Sequence, residues 1–95
     1  ASSDALQFAP DETTPSLLDG EVFVTGVNTK ATAITNFTDA EAGIVYTIYG
    51  NGSENASTIA SGGNFVLTEA MTLSEGKFIK LAKAADGKFY EVARG

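Results

Sequence analysis

The stretch that decides the fold is Gly43–Tyr49, which reads GIVYTIY. Successive residues of a β-strand point to opposite faces of its sheet. The stretch therefore divides into two sets: Ile44, Tyr46 and Ile48 on one face, and Val45, Thr47 and Tyr49 on the other. Both sets are largely apolar or aromatic, so neither face is expected to be fully solvated. We predict that the first set enters the domain's own core, and that Val45 and Tyr49 meet a second sheet or a sister subunit.

The same period of two recurs on both sides of this strand. Further short strands are predicted at 21–27, 31–37, 57–60, 64–68, 71–73, 77–82 and 88–94. In the segment 77–82, Ile79 and Leu81 should face one way, and Phe78 and Lys80 the other. The last two strands flank Ala85–Asp86–Gly87, and Asp-Gly favours the type I′ turn of a tight hairpin. Taken together, these patterns predict an all-β fold, a small antiparallel sandwich or barrel-like domain of about seven or eight short strands.

The first 20 residues have a different character. Pro10 and Pro15 oppose a helix, and Leu17–Leu18 is the one cluster of apolar side chains. Such a segment buries too little apolar surface to offset the entropy lost on ordering. We therefore expect an extended N-terminal arm at 1–20 and a single β domain at 21–95. The arm should lack a helix in Asp4–Pro15, and it should be either disordered or laid on a neighbouring subunit.

The residue types that are missing restrict the chemistry. The chain has 95 residues with no Cys and no His. Thiol nucleophiles, Ser–His pairs and zinc sites with nitrogen or sulfur ligands are therefore excluded. A domain of this size has a marginal core, which disulfides, metals or oligomerisation usually support. We predict a non-enzymatic protein without a cofactor, in which oligomerisation is the remaining source of stability.

The net charge of −6 argues against nucleic acid or a membrane as a partner. No apolar run approaches the roughly 20 residues that span a bilayer. The charge is also uneven, because residues 1–76 hold ten acidic residues and one lysine. The cations are concentrated in the last 19 residues: Lys77, Lys80, Lys83, Lys88 and Arg94. Two interpretations stay open, a solvated lysine-bearing face or a basic edge that meets an acidic neighbour in an assembly.

Loop carboxylates are the candidates for a catalytic or metal site. Asp39 and Glu41 could form a glycosidase pair only if they faced each other across a cleft. Together with Asn51 and Glu54 they could offer oxygen ligands to calcium, although their spacing matches no known calcium loop. Solvated loop acids are the more common arrangement in an acidic protein, and we favour that interpretation.

The aromatic residues of the alternating strands could form either a carbohydrate platform or a packed interface: Tyr46, Tyr49, Phe78, Phe89 and Tyr90. Packing in the core or between subunits is the interpretation we favour, because the rings occupy strand positions and the chain has no Trp. The predicted interface residues are Val45, Tyr49, Phe78, Phe89, Leu17 and Leu18.

Five segments in residues 31–95 carry a resemblance to a known family. In chain order they read ATAITNFT (31–38), GIVYTIYGNG (43–52), NASTI (55–59), GGNFVLTEAMTL (62–73) and EGKFIKLAKAADGKFYEVAR (75–94). This order resembles the C-terminal β-domain of bacteriophage fibre, head-fibre and decoration-type virion proteins. Where that pattern often has Trp before the final Tyr-Glu-Val, this chain has Phe89, which keeps the packing role.

The resemblance implies a virion structural module that is commonly trimeric and acts by self-association and attachment. It also implies a larger capsid or tail protein as a partner, reached through the N-terminal arm, and a host-surface glycan as a further ligand. The alternative from a different class is a carbohydrate-binding or adhesin module of a bacterial surface protein.

Overall fold

The computed structural model describes residues 5–52 and 54–95, and the fold of this part is all-β with no helix. Its strands are β1 (Leu6–Gln7), β2 (Val22–Val24), β3 (Thr32–Ala33), β4 (Val45–Tyr49), β5 (Ser57–Ile59), β6 (Phe65–Val66), β7 (Met71–Leu73), β8 (Phe78–Lys83) and β9 (Phe89–Arg94). The predicted all-β class is confirmed. Nine strands are present where about seven or eight were expected, and the additional strand is β1, which lies within the predicted arm.

The strands form two sheets that enclose one apolar core. The larger sheet has the order β1-β2-β4-β8-β9-β6, and the smaller has the order β3-β5-β7. Pairing is antiparallel at β4–β8, β8–β9 and β5–β7, but parallel at β1–β2, β2–β4, β6–β9 and β3–β5. The predicted antiparallel arrangement is therefore found in three of the strand pairs and is wrong for the other four. The parallel pairs join strands through crossovers, which side-chain alternation does not reveal.

Strand β4 lies at the centre of the large sheet, between β2 and β8. Tyr46 and Ile48 are buried in the core, opposite Leu81 and Ile79 of β8. Ile44, just before the strand, packs against the same core. This face of β4 therefore lies where the alternation predicted.

The β8–β9 hairpin contains a β-bulge between Lys80 and Leu81. Its turn differs from the predicted type I′, which needs positive φ at both central residues. Gly87 has φ of 89°, whereas Asp86 is not among the residues with positive φ. The Ala84 N–H donates to the Lys88 carbonyl (2.9 Å) and the Gly87 N–H to the Ala84 carbonyl (3.1 Å). The turn is thus a three-residue loop with glycine at the position of positive φ, the next most common hairpin connection.

The described part of the predicted arm, residues 5–20, has no helix, turns at 10–11 and 18–19, and packs on its own domain. Strand β1 runs parallel to β2, and the Phe8 N–H donates to the Val24 carbonyl (2.9 Å). The Phe8 ring stacks on Phe23 with centroids 5.4 Å apart. Leu17 is buried, and its N–H donates to the Thr38 carbonyl (2.8 Å). Two large apolar side chains and backbone hydrogen bonds hold this segment on its own domain, which differs from both predicted alternatives, a disordered arm and an arm laid on a neighbouring subunit. Residues 1–4 of the predicted arm lie outside the described residues.

Candidate interaction surface

The face of the large sheet that turns away from the core is the most unusual surface of this molecule. We call it the outer face, and its exposed or half-buried apolar residues are Val45, Tyr49, Val66, Phe78, Tyr90 and Val92. Val45 and Tyr49 are 41% and 40% exposed, which places them opposite the buried Tyr46 and Ile48 of the same strand. Antiparallel sheets with one solvated face usually alternate apolar with polar residues. This sheet carries apolar residues on both faces.

Strand register arranges the outer face in three rows that run across the strands. One row joins Val24, Tyr49 and Phe78, in which the Tyr49 and Phe78 rings have centroids 5.5 Å apart. Another row joins Val45, Ala82, Tyr90 and Val66. Cross-strand neighbours of this kind are in side-chain contact. The apolar residues therefore form two rows, one on each side of the middle row.

The middle row contains the one charged residue among the described strand residues of the outer face. It joins Val22, Thr47, Lys80 and Ala93 across four strands. Lys80 is exposed, and it forms no ion pair with another described residue. The bulge brings Val92 beside Ala93, and Val92 is 58% exposed. Lys80 therefore has Thr47 and Ala93 as its cross-strand neighbours, with apolar residues in the rows on either side.

The hairpin turn orients one of the two tyrosines on this face. The Tyr90 hydroxyl donates to Asp86 Oδ2 at 2.6 Å. This hydrogen bond lowers the pKa of the Asp86 carboxyl and raises the pKa of the Tyr90 hydroxyl. The polar end of Tyr90 is thus engaged at the turn, while its ring contributes to the apolar row.

A second surface feature is a groove of about 810 Å³ beside the starts of β2 and β4. Its apolar lining includes Leu6, Leu18 and Ile44. Leu18 is 59% exposed and adds apolar surface to this lining. We call this feature the acidic groove because its lining also contains four carboxylates: Asp19, Glu21, Asp39 and Glu41.

The acidic groove is held by local hydrogen bonds. The Ser16 hydroxyl donates to Asp39 Oδ2 (2.6 Å), and the Glu41 N–H donates to the Tyr46 hydroxyl oxygen (2.8 Å). Asp39 has φ of 61°, in the left-handed region that Asp tolerates better than most residues. The ion pairs within the described part of the chain all involve Arg94, so none neutralises the carboxylates of the groove.

The predicted interface residues divide between surface and core. Val45, Tyr49 and Phe78 lie on the outer face, and Leu18 lines the acidic groove. Leu17 and Phe89 are 2% and 0% exposed and belong to the core, although Leu17 also contributes to the lining of the acidic groove.

Phe89 is enclosed by aromatic neighbours of the core. Its ring lies 5.4 Å from that of Phe37 and 5.6 Å from that of Phe65, and Lys83 Nζ lies 4.6 Å from its centroid.

Val66 on the outer face could not be predicted from the sequence. It lies beside Tyr90 because of the parallel β6–β9 pairing, which joins distant segments.

The loop acids proposed for calcium are separated in the structure. Asp39 and Glu41 line the acidic groove, whereas Asn51 and Glu54 do not. Within residues 5–52 and 54–95, no group of three or more Asp, Glu, His or Cys side chains is placed to hold a metal ion. No helix in this part of the chain is long and apolar enough to cross a membrane.

One ion pair anchors the end of β9. Glu91 accepts hydrogen bonds from the Thr68 N–H and hydroxyl and from Arg94 Nε and Nη2, at 2.8–3.1 Å. The hydrogen bonds from Arg94 are the main cause that lowers the pKa of the Glu91 carboxyl from its ordinary 4.5 to about 2. Arg94 Nη2 also donates to the Glu69 carbonyl (2.7 Å). This carboxylate therefore connects β9 to the 68–70 loop.

Comparisons with protein-family models, with curated proteins and with solved structures found no match for this chain. The surfaces described above and the resemblance in residues 31–95 are therefore the basis for a functional proposal.

Proposed function

We propose that this chain is a structural module of a bacteriophage virion, a fibre, head-fibre or capsid-decoration protein that acts by self-association and attachment. The observation that carries the proposal is the apolar outer face of the large sheet. The resemblance of residues 31–95 to virion β-domains supports the same role. In this proposal the two sheets form a sandwich, and the assembled form is a homotrimer located in the virion.

The physical reason for self-association is the cost of leaving this face in water. Large contiguous apolar patches on a soluble protein usually mark a binding surface. Burial of apolar surface contributes roughly 25 cal/mol per Å², and a chain of this size has little core stability in reserve. Covering the outer face therefore stabilises the folded domain as well as the assembly.

A carbohydrate-binding or adhesin module is the second candidate function. The observation that favours it is the pair of exposed rings, Tyr49 and Tyr90, at 40% and 38% exposure on one face. Sugar rings stack on such surfaces through their apolar faces. Binding of a glycan by the monomer, with no self-association, would favour this candidate over the first.

The first experiment measures the molar mass by light scattering, and the thermal midpoint, over about a hundredfold range of protein concentration. If the domain associates, the midpoint rises with concentration, because association stabilises only the folded state. A constant monomer mass with an unchanged midpoint would contradict the proposal.

A matched pair of variants then locates the surface. Val92→Ser and Val27→Ser make the same change at similar exposure, 58% and 61%, but Val27 lies outside the strands of the outer face. We expect Val92→Ser to lower the oligomer fraction and Val27→Ser to leave it unchanged. Equal effects of the two variants would contradict the assignment to the outer face.

A further inference from the structure

We infer that the outer face of one copy binds the acidic groove of a second copy, so that subunits join head to tail. This inference rests on the proposed self-association and adds which two surfaces meet. It starts from Lys80, the cation that occupies the middle of an otherwise apolar and neutral set of rows.

Lys80 argues against the simplest alternative, a two-fold dimer in which two outer faces pack on each other. In such a dimer the same patch meets itself. Packing about the middle row would bring Lys80 towards its own symmetry copy, and packing off-centre would press it against apolar side chains. Both arrangements bury a charge without a partner, which is strongly unfavourable.

The acidic groove offers what the outer face lacks. Four carboxylates line it, and among the described residues no cation pairs with them. Its exposed Leu18 and Leu6 add apolar surface at 59% and 42% exposure. A lysine can lay its apolar stem along such a wall while its ammonium group reaches carboxylates. The two surfaces are therefore complementary both in charge and in apolar character.

The two surfaces adjoin at Val22, which lines the groove and belongs to the Lys80 row, but they otherwise consist of different residues. The groove lies beside the starts of β2 and β4 and includes the 17–21 segment, whereas the Lys80 row crosses the strands of the sheet face. A head-to-tail contact, in which the outer face of one copy meets the groove of the next, leaves one of each surface free on every pair of subunits. Such contacts continue until they close a ring or form a filament. This geometry accommodates the proposed trimer, which face-to-face pairing does not.

Charge-reversal variants test the pairing in solution by sedimentation velocity. Lys80→Glu should weaken self-association about tenfold or more, because it places like charges at the contact. The double variant Glu21→Lys/Glu41→Lys should also weaken it, because it cancels the net negative charge of the groove. The triple variant that combines them should regain association, since the carboxylate at position 80 then meets cations at positions 21 and 41. Lys30→Glu and the double variant Glu54→Lys/Glu75→Lys carry the same changes in net charge away from both surfaces, and they should associate like the wild type.

Lys80→Met separates the two modes of assembly. It should weaken a head-to-tail contact and tighten a face-to-face dimer, because it replaces the one charge of the rows with an apolar side chain of similar length. All variants change exposed side chains, and circular dichroism with a thermal scan at low concentration checks that each monomer is folded.

The possible failures are distinct. A wild type that stays monomeric removes the proposed function itself. If the wild type associates, three results would overturn only the head-to-tail pairing. The charge reversals could have no effect, the triple variant could fail to regain association, or Lys80→Met could tighten association.

Discussion

The two faces of β4 are built from nearly the same residue types and lie in opposite environments. Tyr46 and Ile48 are buried, whereas Tyr49 and Val45 on the other face are about two-fifths exposed. The difference comes from the smaller sheet, which contributes Ile59, Met71 and Leu73 to the core. Local sequence thus determines that a side chain alternates, and topology determines which face is covered. The face that is apolar and uncovered is where we propose that a further subunit packs.

The largest effect should come from truncating a large side chain in the core. Phe89→Ala should lower the free energy of unfolding by about 3–5 kcal/mol, because it opens a cavity between the Phe37 and Phe65 rings. Tyr90→Ala, one residue further on the outer face, is the control and should cost much less. Urea denaturation of the monomer measures both. Equal losses would mean that the two faces do not differ as described.

The neighbouring pair in β4 should separate folding from assembly. Ile48→Ala should destabilise the domain by roughly 2–5 kcal/mol, the range for a buried isoleucine. Tyr49→Ala should leave the monomer fold intact and weaken association, as seen by size-exclusion chromatography. If Tyr49→Ala unfolds the protein as severely as Ile48→Ala, Tyr49 belongs to the core. If neither change matters, this assignment of the sheet faces fails.

A smaller effect is expected at Glu91, where a charged residue occupies the rim of the sheet. Glu91→Gln should cost about 1–3 kcal/mol near neutral pH, because charge-assisted hydrogen bonds from Arg94 and Thr68 are weakened. Glu69→Gln is the control: its carboxylate lies 3.9 Å from Arg94 and is largely exposed, so little loss is expected.

The same pair predicts the direction of a pH dependence. The pKa of Glu91 is about 2 in the folded state and near its ordinary 4.5 when unfolded. Its contribution is therefore complete above about pH 4.5 and is lost as the pH falls towards 2. Between these pH values, Glu91→Gln should lose less stability on acidification than the wild type does. If the free energy of unfolding falls equally steeply with decreasing pH in the two proteins, the assignment is wrong.

The smallest effect concerns the turn beside the outer face. Tyr90→Phe removes the hydroxyl that donates to Asp86, the main cause of the lowered pKa of that carboxyl. The Asp86 pKa, measured by NMR titration, should rise towards its ordinary value while the fold is unchanged. Tyr49→Phe, which lacks this contact, is the control. An Asp86 pKa that does not move in Tyr90→Phe would show that the hydrogen bond is absent in solution.

Local patterns in the sequence predicted the strands better than their partners. The strong alternation in 43–49 and 77–82 correctly assigned the faces of β4 and β8, because period two is a local property. The parallel partners of β2 and β9 could not be read in the same way, since they depend on crossovers between distant segments. Leu17 and Phe89 were placed at an interface because residue type alone does not distinguish a core position from a contact between subunits.

The acidic groove also depends on features that a linear sequence hides. Leu6 reaches the groove only because β1 joins the sheet beside β2. Asp19 and Asp39 adopt positive φ there, which the residue type allows but does not require. Asp39 and Glu41 were visible in the sequence as loop acids, but their convergence with Asp19 and Leu18 on one cavity was not.

The strand order has a kinetic consequence. Among the described strands, β8 and β9 are the pair joined by a tight turn. In contrast, β4 pairs with β8 and β6 pairs with β9 across long stretches of intervening sequence. Folds dominated by such non-local pairings are slow, reaching the native state in milliseconds to seconds rather than microseconds. During that interval the apolar rows of β4 and β8 are presented to solvent and to other chains. The time that the sheet takes to close, as much as its final stability, therefore sets how high a concentration this chain tolerates before it aggregates.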